Sequence, residues 1–504
     1  MSARRGLKSA CLISTLATVL AGCVTDDEIA GYAAEKPGFG VVAAAVSVST
    51  NGKETVWVQN RQEATAISDR VHAMVHKKTI SADTAVQVAL LNNRGLQAAY
   101  ADIGMTAAEA WQQGMLENPR VSVGLLGIGA PEVGAVRAIE GVIAANILAM
   151  ATRKARVDLA DTRFRQSQMR AVDATLELAN DTRRAWIDSV SAFETVAYLN
   201  QAKMAADAAS ELAQRLGETG ALPKAGQARE HAFYAELTGQ MAEARLAARL
   251  AKEELARLMG LWGAEVDFFV PDRLPNLPRG LPRRNRIEQE ALDNRVDLRV
   301  AKLELEAVAK SYGLTEATRF VTDLEIISGV EAEREIETEY EINGGNLEET
   351  KTRKTVVTPQ LELEFVIPIF DSGKARLRKA ELAYMRAANL LAEKAVSVRS
   401  EARSAYTAYS STHEIARHYR NAVVPLRTKI EEESLLTYNG MITSTFELLA
   451  DTRAKTGTLL LAINAKRAFW LADVNLSAAV YGGGASAAAA AGAPSVADGG
   501  DAGH

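Results

Sequence analysis

One segment, from about Ile147 to Leu216, contains neither proline nor glycine and limits what this chain can become. Read as a single helix, residues 153 to 216 extend about 95 Å at roughly 1.5 Å per residue, several times the usual length in a globular domain. A helix of that length needs neighbours throughout, because packing supplies most helical stability. Two seams at 3–4 spacing offer the faces. One runs Val157, Ala160, Phe164, Ser167, Ala171, Ala174, Leu178, Ala185, and the other Met169, Val172, Leu176, Ala179, Trp186, Val190, Phe193. Two seams imply packing on two sides. The alanines permit close backbone approach, as in a curved wall of helices. An ordinary helical bundle satisfies the same periodicity, so the helices leave both architectures open.

The order of elements repeats. A helix from Ser81 to about Leu116, N-capped at Ser81-Ala82-Asp83 and stopped at Asn118-Pro119, leads to a strand-like alternation over Val121–Leu125. The long segment follows, then a second from about Gln227 to Leu261. The second half has a helix from about Arg286 to Ala317, alternating strands near Arg319–Val330 and Val356–Ile369, and helical stretches over Lys374–Leu436 and Thr445–Leu476. Sliding the chain by 220 places Lys154-Ala155-Arg156 on Lys374-Ala375-Arg376, Arg183 on Arg403, Ala185 on Ala405 and Gly220 on Gly440 without a gap. At a shift of 201, Asn93-Arg94 falls on Asn294-Arg295.

The strands separate the two architectures. Phe320, Thr322, Leu324, Ile326 and Ser328 alternate with Val321, Asp323, Glu325 and Ile327; Leu361, Leu363, Phe365, Ile367 and Ile369 alternate with Gln360, Glu362 and Glu364. One face is apolar and the other carboxylate-rich, as in a barrel with lipid outside and water inside. A half-buried soluble sheet with its acids facing solvent is the plainer alternative. Between these strands, the charged stretch Glu331–Lys354 with Asn343-Gly344-Gly345 reads as a solvent-exposed hairpin loop. Four strands cannot close a membrane barrel, so that reading requires oligomerisation.

At the N-terminus, Arg4, Arg5 and Lys8 precede an apolar stretch from Cys11 to Ala21, too short to span a bilayer and read as a secretory signal over residues 1–22. Leu20-Ala21-Gly22-Cys23 has the pattern of a bacterial lipobox with Cys23 as the lipidated residue; an ordinary small-residue cleavage site is the alternative. Removing residues 1–22 takes away three basic and no acidic residues, moving the net charge from -5 to -8. Both cysteines are then spent, and no basic footprint for nucleic acid remains. Residues 23–79 read as a weakly patterned leader with one short helix from Glu63 to His76. Two structural repeats cover 80–282 and 283–476, and a low-complexity tail covers 477–504.

The lipobox, the duplicated element order, "VALLNNRGLQAAYADIG" followed by "ENPRVSVGL", "LELEFVIPIFDSGKARLRKAELAY" and "YNGMITSTFELLADTR" resemble the TolC-type outer-membrane efflux family, and within it the lipoprotein subgroup, over about residues 80 to 476. The resemblance implies a mainly α fold with a small β part: long α-helical hairpins forming a periplasmic tunnel, and four strands contributed to a trimeric twelve-stranded outer-membrane β-barrel. It implies a homotrimer anchored in outer-membrane lipid and docked to a periplasmic adaptor protein and inner-membrane pump. Such a channel conducts substrates to the exterior, copper or toxic organic compounds among them. A periplasmic coiled-coil adaptor or structural lipoprotein shares the long helices and is the rival reading, although no lipoyl-like all-β module is visible.

Carried over by residue, Tyr438 and Gly440 match the family's positions near the periplasmic tip of the second hairpin, and Glu447 matches the acidic position ringing the entrance, with Asp451 one turn on. Symmetry-related carboxylates at a constriction favour cations. Solvated charges paired with Arg453 or Lys455 are the alternative for Glu447 and Asp451. In the first-half tip, Gly226 stands where many relatives carry an acid. Asp323, Glu325, Glu362 and Glu364 are the expected barrel-lumen carboxylates. His72 and His76 share a helix face and form a two-ligand metal candidate without a third. No catalytic arrangement and no cofactor motif can be placed, so the chain reads as a conduit and not an enzyme.

Overall fold

The computed structural model describes residues 27–128, 136–220, 222–343, 346–440 and 445–484. The signal segment, Cys23 and the tail beyond residue 484 lie outside the described residues.

The long proline-free segment is one helix. In chain order the elements are α1 (Asp27–Tyr32), α2 (Phe39–Ser49), α3 (Arg61–Val75), α4 (Ala82–Asn92), α5 (Arg94–Gly114), β1 (Arg120–Leu126), β2 (Ala138–Asn146), α6 (Ile147–Glu218), α7 (Lys224–Leu258), α8 (Ile287–Asn294), α9 (Val296–Ala317), β3 (Leu324–Asn343), β4 (Asn346–Phe365), α10 (Lys374–His418), α11 (Val424–Asn439) and α12 (Thr445–Tyr481). Both seams of α6 are used: Ala160, Phe164, Ser167, Ala171 and Ala185 are buried along one, and Val172, Leu176, Ala179, Trp186 and Val190 along the other.

The repeat survives at the helix ends. Gly220 follows α6 and Gly440 follows α11, as the shift of 220 expects, but only Gly220 adopts the left-handed conformation, at φ 75°. The stretch expected as one helix over Lys374–Leu436 is interrupted. Pro425 has no N–H and its ring crowds the carbonyl four residues back, so the chain widens into a π turn over Tyr419–Val423 and restarts with proline in the first turn of α11. The equivalent stretch of α6 has no proline and continues unbroken.

Two compact units arise, and neither coincides with a sequence repeat. Of the described residues, one comprises Asp27–Pro37 with those of Gly104–Gln166 and Lys302–Leu390; the other comprises those of Gly38–Ile103, Ser167–Ala301 and Leu391–Gly484. The first holds the sheet, in the order β1-β2-β3-β4, antiparallel throughout. Glu331–Lys354 is a correction to the expected loop: β3 and β4 pair continuously from Leu324↔Phe365 to Asn343↔Asn346. Alternating Glu-X-Glu with threonines opposite suits a solvated two-stranded ribbon, whose charge hides its strand character from a hydrophobicity reading. Gly344 and Gly345 lie outside the described residues. The second strand of the first repeat, unplaced by sequence, is β2. Val366–Ile369, expected to continue the last strand, lies past its end at Phe365.

The second unit holds the helical core. The described residues of the leader are more ordered than expected, with three helices in place of one. Val71, Val75 and Ile80 pack with Trp186, Val190, Met259 and Phe268, and the Trp186 indole donates to the Ile80 carbonyl at 3.0 Å. Phe39 meets Tyr100 edge-on at 4.9 Å, and burial pushes the Tyr100 hydroxyl up to about 12 against the bond to Thr175. A second cluster joins Tyr409, Phe469, Leu476 and Val480.

Helix α12 runs past residue 476 to Tyr481, and the next three residues are docked, which corrects the start of the expected tail. Gly482 and Gly483 take positive φ; Gly483 N–H donates to Asp173 at 2.9 Å, and Asn180 donates to both of their carbonyls. A Cβ on Gly483 would stand 2.4 Å from the backbone carbon of Leu176. Gly483→Ala is therefore expected to lower stability by about 2 kcal/mol, from left-handed strain plus the loss of docking. Hydrogen exchange reads it as lost protection of residues 482–484.

Asp473 has its carboxyl pushed above the usual range by burial, with Arg183 and Arg284 opposing. A raised acid binds more protons folded than unfolded, so it lowers stability as pH rises through the folded value, and the penalty is absent below the unfolded value near about 3.9. Asp473→Asn is expected to raise the melting temperature at neutral pH, with the difference shrinking toward pH 4. A gain independent of pH contradicts this.

Candidate functional site

The first candidate site is the sheet itself, because strand alternation gathers most of its large exposed apolar side chains on one face and, over the four-stranded part, its charged ones on the other. On one face the register aligns Val121, Val123 and Leu125 of β1 with Ile143, Gly141 and Ile139 of β2, then with Ser328, Val330 and Ala332 of β3, and these with Leu361, Pro359 and Val357 of β4. Ile326, Leu363, Leu324 and Phe365 extend the same face. These apolar side chains are exposed: Leu361 by 74%, Val123 by 72% and Val121 by 69%. Among the described residues nothing covers them, and a contiguous patch of this kind marks an interaction surface or contact with lipid. From Leu324 to Ala332 the band measures about 26 Å along the strand at roughly 3.3 Å per residue, or about 20 Å along the normal of a barrel tilted near 40°, close to the apolar band of an outer-membrane barrel.

The opposite face is polar and internally paired. Glu325 is buried and ion-paired with Arg120 of β1. Glu364 lies directly opposite Glu325 in the register, where like charges repel, and Arg120 offsets that repulsion. Glu362 lies opposite Ile327 on this face. Gln360 donates to Glu331 at 3.0 Å, and Arg137 pairs with Glu333 at 2.8 Å. Of the four expected lumen carboxylates, Glu325, Glu362 and Glu364 share this face; Asp323 is a correction, since it precedes β3 and is not in the strand. Beyond the band, aromatic Phe320 and Phe370 are exposed near the helix-bearing end, with Arg319 stacked over Phe320 at 4.8 Å.

The second candidate site is the tip of the second hairpin. Tyr438, half-buried, is in the last turn of α11, and Gly440 closes that helix, its N–H bonded to the Leu436 carbonyl at 3.0 Å. Glu447 is exposed in the first turn of α12. Asp451 accepts a hydrogen bond from Ser434 of α11. The cations considered as its partners go elsewhere: Lys455 pairs with Glu431, and Arg453 pairs with Glu230 of α7 at 2.9 Å while lying 4.4 Å over the Phe233 ring. Glu230, with only 3% of its surface exposed, is the residue sequence reasoning missed. Its sequence neighbours carry no signal, because its partner lies 223 positions away.

His72 and His76 stack with ring centroids 4.5 Å apart. Nearly parallel rings do not converge their nitrogen lone pairs on one point, and among the described residues no group of three or more His, Cys, Asp or Glu could hold a metal ion. Nor, among the described residues, is any helix long and apolar enough to cross a membrane.

Sequence comparison finds no matching protein-family model and no matching curated protein. Solved structures do match. The Campylobacter jejuni outer-membrane channel CmeC superposes with a TM-score of 0.65 at 17% identity, covering 86% of this chain and 90% of that one. The Vibrio cholerae outer-membrane protein VceC gives 0.61 at 15% identity over 80% and 96%. The open Neisseria gonorrhoeae MtrE outer-membrane channel gives 0.58 at 18% over 79% and 88%. With its long helical hairpins and four-stranded antiparallel sheet, this chain has the TolC-type outer-membrane channel fold.

Proposed function

We propose that the protein is an outer-membrane channel, the exit duct of a tripartite efflux system, and not an enzyme. The observation that carries this is the sheet with an uncovered apolar face and an ion-paired polar face. Such a sheet is stable where lipid covers one side and water the other. With both edge strands unpaired among the described residues, it must pair with other strands to stand in a bilayer, and three copies supply a closed twelve-stranded barrel. The proposal includes lipidation at Cys23, a homotrimer, and docking of the hairpin tips to a periplasmic adaptor and inner-membrane pump. A coiled-coil adaptor has no use for an exposed apolar sheet.

At the entrance, Glu447 and Asp451 of three copies form a carboxylate ring favouring cations, and the Arg453–Glu230 pair ties the two hairpins. The cargo is a toxic organic compound or a metal ion such as copper. Growth of a deletion strain against copper, and separately against detergents, dyes and hydrophobic antibiotics, tests the role. Sensitivity rescued by the wild-type gene is the expected result. Sensitivity to organic toxicants alone removes metal export from the proposal, and full resistance to every agent opposes the efflux role.

A further inference from the structure

The β3–β4 ribbon outruns its neighbours. β2 pairs with β3 as far as Ala138↔Glu333, and the Arg334 N–H still donates to the Arg137 carbonyl at 2.9 Å; from Glu335 onward, among the described residues, the two strands continue without a third by about nine residues each, on the order of 30 Å. This extension sorts most of its charge by face, the exceptions being Lys354 opposite Glu335 on the acidic side and Glu349 opposite Tyr340 on the other. On the continuation of the polar face stand Glu335, Glu337 and Glu339, all exposed. On the continuation of the apolar face stand Arg334, then Arg353 opposite Ile336, then Lys351 opposite Thr338, with no acidic residue among the positions from Arg334 to Thr338 or their partners from Lys351 to Thr355 on that face. The arginines are exposed. Ala332, opposite Val357, is the last small apolar position of the band, so Arg334 follows it by about 7 Å along the strand and Arg353 by about 13 Å. With barrel tilt, both fall at the depth where the hydrocarbon gives way to headgroups.

We propose that Arg334 and Arg353 form a basic collar that binds the phosphates of the outer-leaflet lipid surrounding the barrel. The inference rests on the membrane reading of the apolar face and adds a partner to it. Charge complementarity identifies that partner. Guanidinium groups bind phosphate oxygens bidentately, and a basic row at the edge of an apolar band, with the acids level with it on the other face, suits an anionic lipid surface.

The test uses the full-length protein purified in detergent, with fluorescent bis-phosphorylated lipid A and its dephosphorylated form as probes, and insertion into phosphatidylcholine nanodiscs in parallel. The wild type is expected to insert, to bind the phosphorylated lipid at least tenfold more tightly than the dephosphorylated one, and to lose that preference with rising salt. R334Q/R353Q should insert normally yet lose about tenfold in affinity for the phosphorylated lipid only, R334K/R353K should retain most of it, and E335Q/E337Q should lose none. Insertion with equal binding of both lipids, or equal binding by R334Q/R353Q, overturns the collar and leaves the membrane reading standing. Failure of the wild type to enter nanodiscs overturns both.

Discussion

Replacing Leu361 and Val123 together by arginine is expected to abolish stable membrane insertion. Both occupy the middle of the apolar band, Leu361 opposite Ser328 and Val123 two strands from Val330 through Gly141. An arginine at the bilayer midplane of a barrel costs about 2–4 kcal/mol, so the pair costs roughly 4–8 kcal/mol per chain, multiplied by the copies in the assembly. Flotation of detergent-purified Cys23→Ser protein reconstituted with liposomes checks it without the proposed lipid anchor: the double variant should fail to float, while Glu362→Arg on the polar face should float. If the double variant remains membrane-embedded at wild-type level, the face does not meet lipid.

The second large effect lies in the helical core. Arg295→Ala is expected to destabilise by about 2–3 kcal/mol, because it removes a buried guanidinium from two half-buried carboxylates, of which Asp297 keeps Lys394. Arg295 is 3% exposed, chelates Asp297 at 2.7 Å and pairs with Glu401, while Lys394 reaches Asp297 at 2.6 Å. Burial works to raise the Asp297 carboxyl, and the Arg295 and Lys394 contacts overcome it, holding the group below the usual carboxylate range. A depressed acid contributes stability above its unfolded value and loses it as pH falls through the folded one. The difference between wild type and Arg295→Ala, followed by denaturant unfolding, should therefore be widest near neutrality and narrow below about pH 4.

Much of this was legible in the sequence because period and punctuation are local. The absence of proline and glycine over Ile147–Leu216 foretold α6, the seams through Phe164 and Trp186 foretold its two buried faces, and the alternation at Leu361, Leu363 and Phe365 foretold the apolar sheet face. What hydropathy could not show was set by other forces. The ribbon over Glu331–Lys354 is strand by backbone pairing although its side chains are charged, and β2 was obscured because "EGVIAANILAM" runs from strand directly into helix at Ile147. The Arg453–Glu230 pair and the docking of Gly483 on Asp173 join residues more than 200 positions apart, beyond the reach of any local signal.

The account rests on the sheet being part of a water-filled pore through the outer membrane, and planar-bilayer recording of the full-length purified protein tests that directly. It predicts discrete, long-lived conductance steps with preference for cations, lowered in that preference by E447Q/D451N and absent for the Leu361 and Val123 arginine variant. A protein that is stably folded in detergent yet produces no conductance at any voltage or protein concentration would contradict it.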